Sequence, residues 1–170
     1  MAVALDCSSA FECVYGDILL NVLEAKGAGP NFLHWTSDYM QGRYQYVEYN
    51  GARSAKWAIN SLPQGSVMSP DFYGAIASTF PQWDENNDSF CWVDDSVKII
   101  AAPSVAECHE KGISATAHFE DWFAVHKLTL NANKSVIMGF GYTPNPITVG
   151  GVVVEAAADM RFLGTNLLSD

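Results

Sequence analysis

Basic residues are scarce in this chain. Nine Lys and Arg stand against nineteen Asp and Glu over 170 residues, a net charge of −10, so the surface by itself is poorly suited to gripping phosphate backbones. Cysteine is scarce too. Cys7, Cys13, Cys91 and Cys108 form no CxxC pair, and His34, His109, His118 and His126 match neither HExxH nor zinc-finger spacing. Free thiols in a reducing compartment are therefore expected. No apolar run approaches the ~18 to 20 residues a membrane helix needs, and Met1 to Ala10 carry no basic n-region. Neither insertion nor secretion is signalled, and an intracellular location, cytoplasm or nucleus, is expected. Internal repeats and low-complexity tracts are lacking as well. What is plentiful is apolar: 49% hydrophobic and 12% aromatic residues, with five Trp, nine Phe and seven Tyr. Such a chain can bury a sizeable core and is no candidate for disorder, and its length suits one compact domain.

The opening MAVALD is a short apolar run ending in an acid, and Ser9-Ala-Phe-Glu12 after it has the S-x-x-E form of a capping box. A strand is thus expected to feed a helix through Val14, Ile18, Leu19, Val22 and Leu23 that stops at Gly27-Ala-Gly-Pro30. A second short helix is expected around Leu33 to Met40. YQYVEY and SAKWAI flank Asn50-Gly51, the strongest short-range hairpin signal, and alternation would put Tyr44, Tyr46 and Glu48 on one face. Leu62-Pro-Gln-Gly-Ser-Val-Met-Ser-Pro70 reads as a loop leading into a helix from Asp71 to Phe80, and Asp84 to Asp88 reads as a turn. Ser89 to Val93 and Ser96 to Ala101 are β-rich runs joined through Asp94-Asp95. Ser104 is expected to cap a long amphipathic helix ending near His126, with Val105, Cys108, Ala115, Phe119, Trp122 and Phe123 on one face. Short β segments close the chain at Ser135 to Phe140, Gly151 to Val154 and Arg161 to Leu163. This order predicts an α+β fold, an antiparallel sheet with helices packed on one face, as in ferredoxin-like split βαβ proteins.

Chemistry concentrates at the strand-ending Asp6 and the tip pair Asp94-Asp95. If their strands are neighbours, three hard oxygen ligands converge, which suits Mg²⁺ or Mn²⁺ and two-metal phosphoryl transfer. An acidic pair at a hairpin tip is also what turns favour on their own account. The neighbours of these acids tip the balance. Leu5-Asp-Cys-Ser-Ser-Ala-Phe-Glu-Cys-Val14 resembles motif A of the reverse transcriptase palm, Leu62 to Pro70 resembles motif B with its Pro-Gln-Gly-Ser core, and Trp92-Val-Asp-Asp95 resembles motif C. Leu128 to Ser135 resembles motif D and Arg161-Phe-Leu-Gly164 motif E. Five motifs in order across nearly the whole chain resemble this family, most closely the enzymes of non-LTR retrotransposons. Viral RNA-directed RNA polymerases share the palm but differ at motif B, and no nucleotide-cyclase signature is present.

The resemblance implies an RNA-directed DNA polymerase palm over residues 1–170, acting on an RNA template, a DNA primer and dNTP with Mg²⁺ or Mn²⁺. Asp6 and Asp94 would be the direct metal ligands and Asp95 a supporting one. Lys134 would be a general acid for the leaving pyrophosphate, although a solvated surface lysine fits the same position. Phe11 would be the steric gate against a 2′-hydroxyl, unless it is a core aromatic. Ser8, Ser9 and Ala10 would line the nucleotide site, and Gln64 and Gly65 would pack against the nascent base pair, Gly permitting close backbone approach. Phe162, Leu163 and Gly164 would form the primer grip, where an apolar strand could equally pack in the core. Departures from the family pattern stand at Trp92, Glu12 and Asp71. The resemblance also implies basic fingers and a thumb, with no recognisable counterpart here, on a longer chain. The alternative is a truncated, non-catalytic palm remnant that serves at most as a binding or interaction module.

Overall fold

A computed structural model describes residues 1–8, 10–81, 88–92 and 95–169, without side-chain detail at 88, 91 and 92. Ser9, Asp94 and most of the turn expected at Asp84 to Asp88 lie outside the described residues. In chain order the elements are β1 (Ala2–Ser8), α1 (Gly16–Ala25), α2 (Pro30–Met40), β2 (Arg43–Gln45), β3 (Glu48–Tyr49), β4 (Ala52–Arg53), β5 (Trp57–Ile59) and α3 (Ser69–Ala77). There follow β6 (Asp88–Trp92), β7 (Asp95–Ile99), α4 (Val105–Val125), β8 (Thr129–Leu130), β9 (Val136–Met138), β10 (Ile147–Val149), β11 (Val152–Val154), β12 (Asp159–Phe162) and β13 (Thr165–Leu168). They form two compact units, one of Met1–Ser8 with Phe80–Asp170 and one of Ser9–Thr79.

The first unit is built on an antiparallel sheet in the order β6-β7-β1, with β8 and β9 sharing the far side of β1. Strict alternation sorts β1. Val3, Leu5 and Cys7 are buried, and Met1, just ahead of them, lies against the middle of α4, where a Cβ on Gly112 would strike the Met1 Cε atom. On the other face Ala2 packs with Val97, Met138 and Met160, joined by Ala4, Ile99, Val136, Phe162 and Leu167, so the β12–β13 hairpin covers that side. Asp6 falls on this second face by parity. The hydroxyl of Ser96 donates to the Leu5 carbonyl at 2.8 Å and pins the β1–β7 register.

α4 begins where its cap predicts, the Ser104 hydroxyl accepting from the Glu107 N–H at 3.2 Å. Val105 departs from expectation: it sits in the first turn and is exposed, while Gly112 and Thr116 join the buried stripe. Ser104→Ala is expected to cost about 1 kcal/mol by leaving an orphan N–H, read as a lower midpoint in denaturant with an unchanged slope.

In the second unit α1 starts at Gly16, later than the patterning suggests, and Ser9, the expected cap, lies outside the described residues. The Phe11 carbonyl is engaged elsewhere: it accepts from Val14 N–H at 3.4 Å and from the remote Leu62 N–H at 3.2 Å, closing a turn ahead of the helical ladder. Tyr15 then enters α1 in extended conformation. α2 and α3 each begin earlier than patterning suggests, because Pro30 and Pro70 sit in their first turns, where a missing N–H costs nothing. Asp71 is the first-turn acid of α3, a placement the helix dipole favours and a local reason for an acid there. Asn50 and Gly51 both have positive φ, 49° and 77°, as a two-residue primed turn between β3 and β4 requires. Among the described residues no helix is long and apolar enough to cross a membrane.

Candidate active site

Asp6 and Asp95 are direct cross-strand partners in the β1–β7 ladder and so share one sheet face. Both line a cavity of about 210 Å³ with Ser96, Lys134, Arg161 and Phe162 among its walls. Opposed like charges on adjacent strands are destabilising unless a cation neutralises them. Lys134 is one such cation, its Nζ 3.6 Å from Asp6 Oδ2. Its arrival there follows from the backbone. Asn131 N–H donates to the Asp6 carbonyl at 2.9 Å, and the Asn131 carbonyl accepts from Lys134 N–H and from the N–H and hydroxyl of Ser135, so the turn is fastened to the end of β1. Among the described residues Asp6 Oδ2 is nonetheless buried without a hydrogen-bond partner, which in a site of this donor chemistry fits a divalent cation with oxygen ligands. Among the described residues no three His, Cys, Asp or Glu side chains stand close enough together to form a metal cluster, and Asp94 lies outside that set.

The hairpin tip over this face is unusual. Leu163 and Gly164 form its two-residue turn with φ of 47° and 78°, although leucine disfavours the left-handed region and its side chain is 52% exposed. Local physics would choose Asn-Gly. Leu163→Asn is expected to stabilise the protein by about 1 kcal/mol, a rise in melting temperature of roughly 2–4 °C.

The second unit gathers Phe11, Gln64 and Gly65 around a cavity of about 420 Å³, with Ser66, Ser69 and Pro70. The Phe11 ring is half-buried and tilts against Tyr73 with centroids 5.2 Å apart, so it belongs to a turn and to no helix face. Gly65, at φ 81°, has open space where a Cβ would project, so backbone conformation demands glycine here. Ser69 Oγ donates to the Pro63 carbonyl at 2.7 Å and Ser66 Oγ meets the Tyr39 hydroxyl, which together hold the loop's shape. Ser8 ends β1 opposite Thr129, in the first unit, whereas Ala10 is buried in the turn of the second. Ser9 lies outside the described residues. Sequence reasoning did not single out Arg161, Ser96 or Tyr39. Arg161 stood inside a recognised motif, while the other two carry no local signal because their partners are remote in sequence.

The β-strand order and the helix on one face are those of an α+β palm-like fold. The chain matches the family model "Reverse transcriptase (RNA-dependent DNA polymerase)" over residues 1–167, and it belongs to that family. Its fold is similar to the apo telomerase structure from Candida tropicalis truncated from the C-terminal domain, with a TM-score of 0.59 and 14% identity. That similarity covers 98% of this chain and 33% of the telomerase chain, so this chain spans about a third of that structure's length. No curated protein matches it.

Proposed function

We propose that this chain is the catalytic palm, over residues 1–170, of an RNA-directed DNA polymerase from a retrotransposon-like element, working in the nucleus or cytoplasm. The reading is supported chiefly by Asp6, whose buried Oδ2 lacks a hydrogen-bond partner among the described residues and which Asp95 opposes directly. An arrangement that stability alone disfavours is the kind kept for chemistry. Asp6 and Asp94 hold Mg²⁺ or Mn²⁺, with Asp95 in support. When bound, the metal pair activates the primer 3′-hydroxyl and offsets charge on the triphosphate. The primer 3′-hydroxyl gives its proton to solvent as the O3′–Pα bond forms, the bond from Pα to the leaving oxygen breaks, and Lys134 supplies a proton to the departing pyrophosphate. Phe11 excludes a 2′-hydroxyl, Ser8, Ser9 and Ala10 line the nucleotide, and Gln64 and Gly65 pack on the nascent pair. Phe162, Leu163 and Gly164 grip the primer; the exposed, strained leucine at the tip supports a contact role. Basic fingers and a thumb on a longer chain supply the backbone clamp that a charge of −10 does not.

A thermal melt with and without millimolar Mn²⁺ tests this on the chain alone. At a metal concentration tenfold above Kd, binding adds about 1.4 kcal/mol, a rise of a few degrees. An Asp94→Ala, Asp95→Ala variant is expected to lose that rise. No metal-dependent shift in the parent protein would instead support the non-catalytic remnant.

A further inference from the structure

Helix α2 buries little of its apolar surface. Of its 11 residues only Thr36 and Met40 are fully buried, while Phe32 and Trp35 stand 41% and 45% exposed. Spacings of three and four residues bring Phe32, Trp35 and Tyr39 onto one helix face. There the rings form a ladder: those of Phe32 and Trp35 lie 5.8 Å apart at 20° and those of Trp35 and Tyr39 5.5 Å apart at 26°. The buried Phe72 ring of α3 backs all three, at 5.6 to 6.4 Å, and so fixes the rungs without covering them. Aromatic surface held open in this way marks a docking face.

The last rung shows what such a ring accepts. The Arg43 guanidinium lies 4.1 Å from the Tyr39 ring centroid while Arg43 Nε donates to the Tyr39 carbonyl, so one arginine engages a ring and an oxygen together. The middle rung offers the same two groups with more charge. Asp38 follows Trp35 by three residues and so lies beside it on the helix surface, its side chain 71% exposed, with His34 Nε2 at 3.8 Å. Tryptophan is the best aromatic platform for a cation, and a carboxylate binds a guanidinium more strongly than a carbonyl does. No Lys or Arg stands in α2, and the chain carries a net charge of −10, so a basic partner is attracted to this face and an acidic one is repelled.

We propose that the Trp35–Asp38 face of α2 docks an arginine-bearing segment of a partner protein, the guanidinium stacking on the Trp35 ring and pairing with the Asp38 carboxylate. Lysine fits the site less well, because its ammonium is a point charge with no planar face to stack. The inference involves neither the opposed acids of the sheet nor their chemistry, and it stands whether or not the catalytic reading does.

The test uses the whole chain and a fluorescein-labelled peptide of alternating Arg and Gly, about 12 residues long, read by anisotropy at low salt beside matched peptides carrying Lys or citrulline, the neutral isostere of arginine. The Arg peptide is expected to bind at least about threefold tighter than the Lys peptide and at least about tenfold tighter than the citrulline peptide. Trp35→Ala is expected to weaken it at least about fivefold, while Trp35→Phe stays within about threefold of the parent. Asp38→Asn is expected to weaken it about threefold, whereas Glu110→Gln, which removes an exposed acid from α4, changes it by less than about 1.5-fold. These positions are exposed, and melting curves check that each variant stays folded. Absence of binding, equal binding of the citrulline peptide, or equal binding by Trp35→Ala overturns the proposal. Equal losses from Asp38→Asn and Glu110→Gln also overturn it, since the peptide would then follow net charge alone. So does a self-associated parent that Trp35→Ala converts to monomer, because the face would then belong to a second copy of this chain.

Discussion

Asp6→Asn is expected to reduce nucleotidyl transfer by at least about 10²–10³-fold, measured as primer extension by this palm joined in cis to the fingers and thumb of a related polymerase. The exchange keeps side-chain shape and removes the charge on which a hard divalent cation depends. The same substitution carries a second expectation of opposite sign. Asp6 sits opposite Asp95 in the ladder, and its buried Oδ2 has Lys134 Nζ at 3.6 Å. Neutralising one member of an opposed pair relieves repulsion, worth roughly 0.2–1 kcal/mol across strands. Metal-free Asp6→Asn protein is therefore expected to melt at or above the parent temperature while losing both its response to Mn²⁺ and its activity. A variant that is inactive because it unfolds would melt lower. Retained extension activity would remove Asp6 from the chemistry altogether.

The residues that made this site readable were those whose meaning is local. Asp6, the Pro63-Gln64-Gly65 loop and the Asp94-Asp95 pair each lie in short stretches where strand ends, glycine and proline restrict the backbone, so their order along the chain carried the family pattern. Ser104 and Asn50-Gly51 were legible for the same reason, and they fulfil the roles their chemistry predicts. What was not legible depended on partners far along the chain. Ser9-x-x-Glu12 has the form of a helix start, yet the Leu62 N–H captures the Phe11 carbonyl and the helix waits until Gly16. β8 is two residues long and exists because β1 offers Cys7 and Ser8 an empty edge, which no period within Thr129-Leu130 could announce. Lys134 was a lysine in a turn until Asn131 bonded the Asp6 backbone and carried it to the carboxylate. Long-range register, in short, is a property of the sheet, and only the folded chain contains it.

The largest stability effect is expected from Phe119→Ala, at about 3–5 kcal/mol. Phe119 is 1% exposed on the inner face of α4 and stacks on Phe80 with centroids 4.8 Å apart. Phe80 in turn meets the edge of Trp122 at 5.0 Å, and Trp122 meets Phe123 at 5.4 Å and the His126 ring at 4.5 Å. Truncation at the hub of such a cluster leaves a void that its rings cannot fill by rotamer changes, because each is already held by the next. The contrast is Phe90, which is 51% exposed on β6; its change to alanine is expected to cost under about 0.5 kcal/mol. Urea unfolding of both variants measures the difference. The unit that Phe119 stabilises also carries β1 and β7, and because Asp6 and Asp95 are unchanged the Mn²⁺ increment is expected to persist on top of a lower melting temperature. Near-equal midpoints for the two variants would mean that the aromatic cluster is not what holds α4 in place.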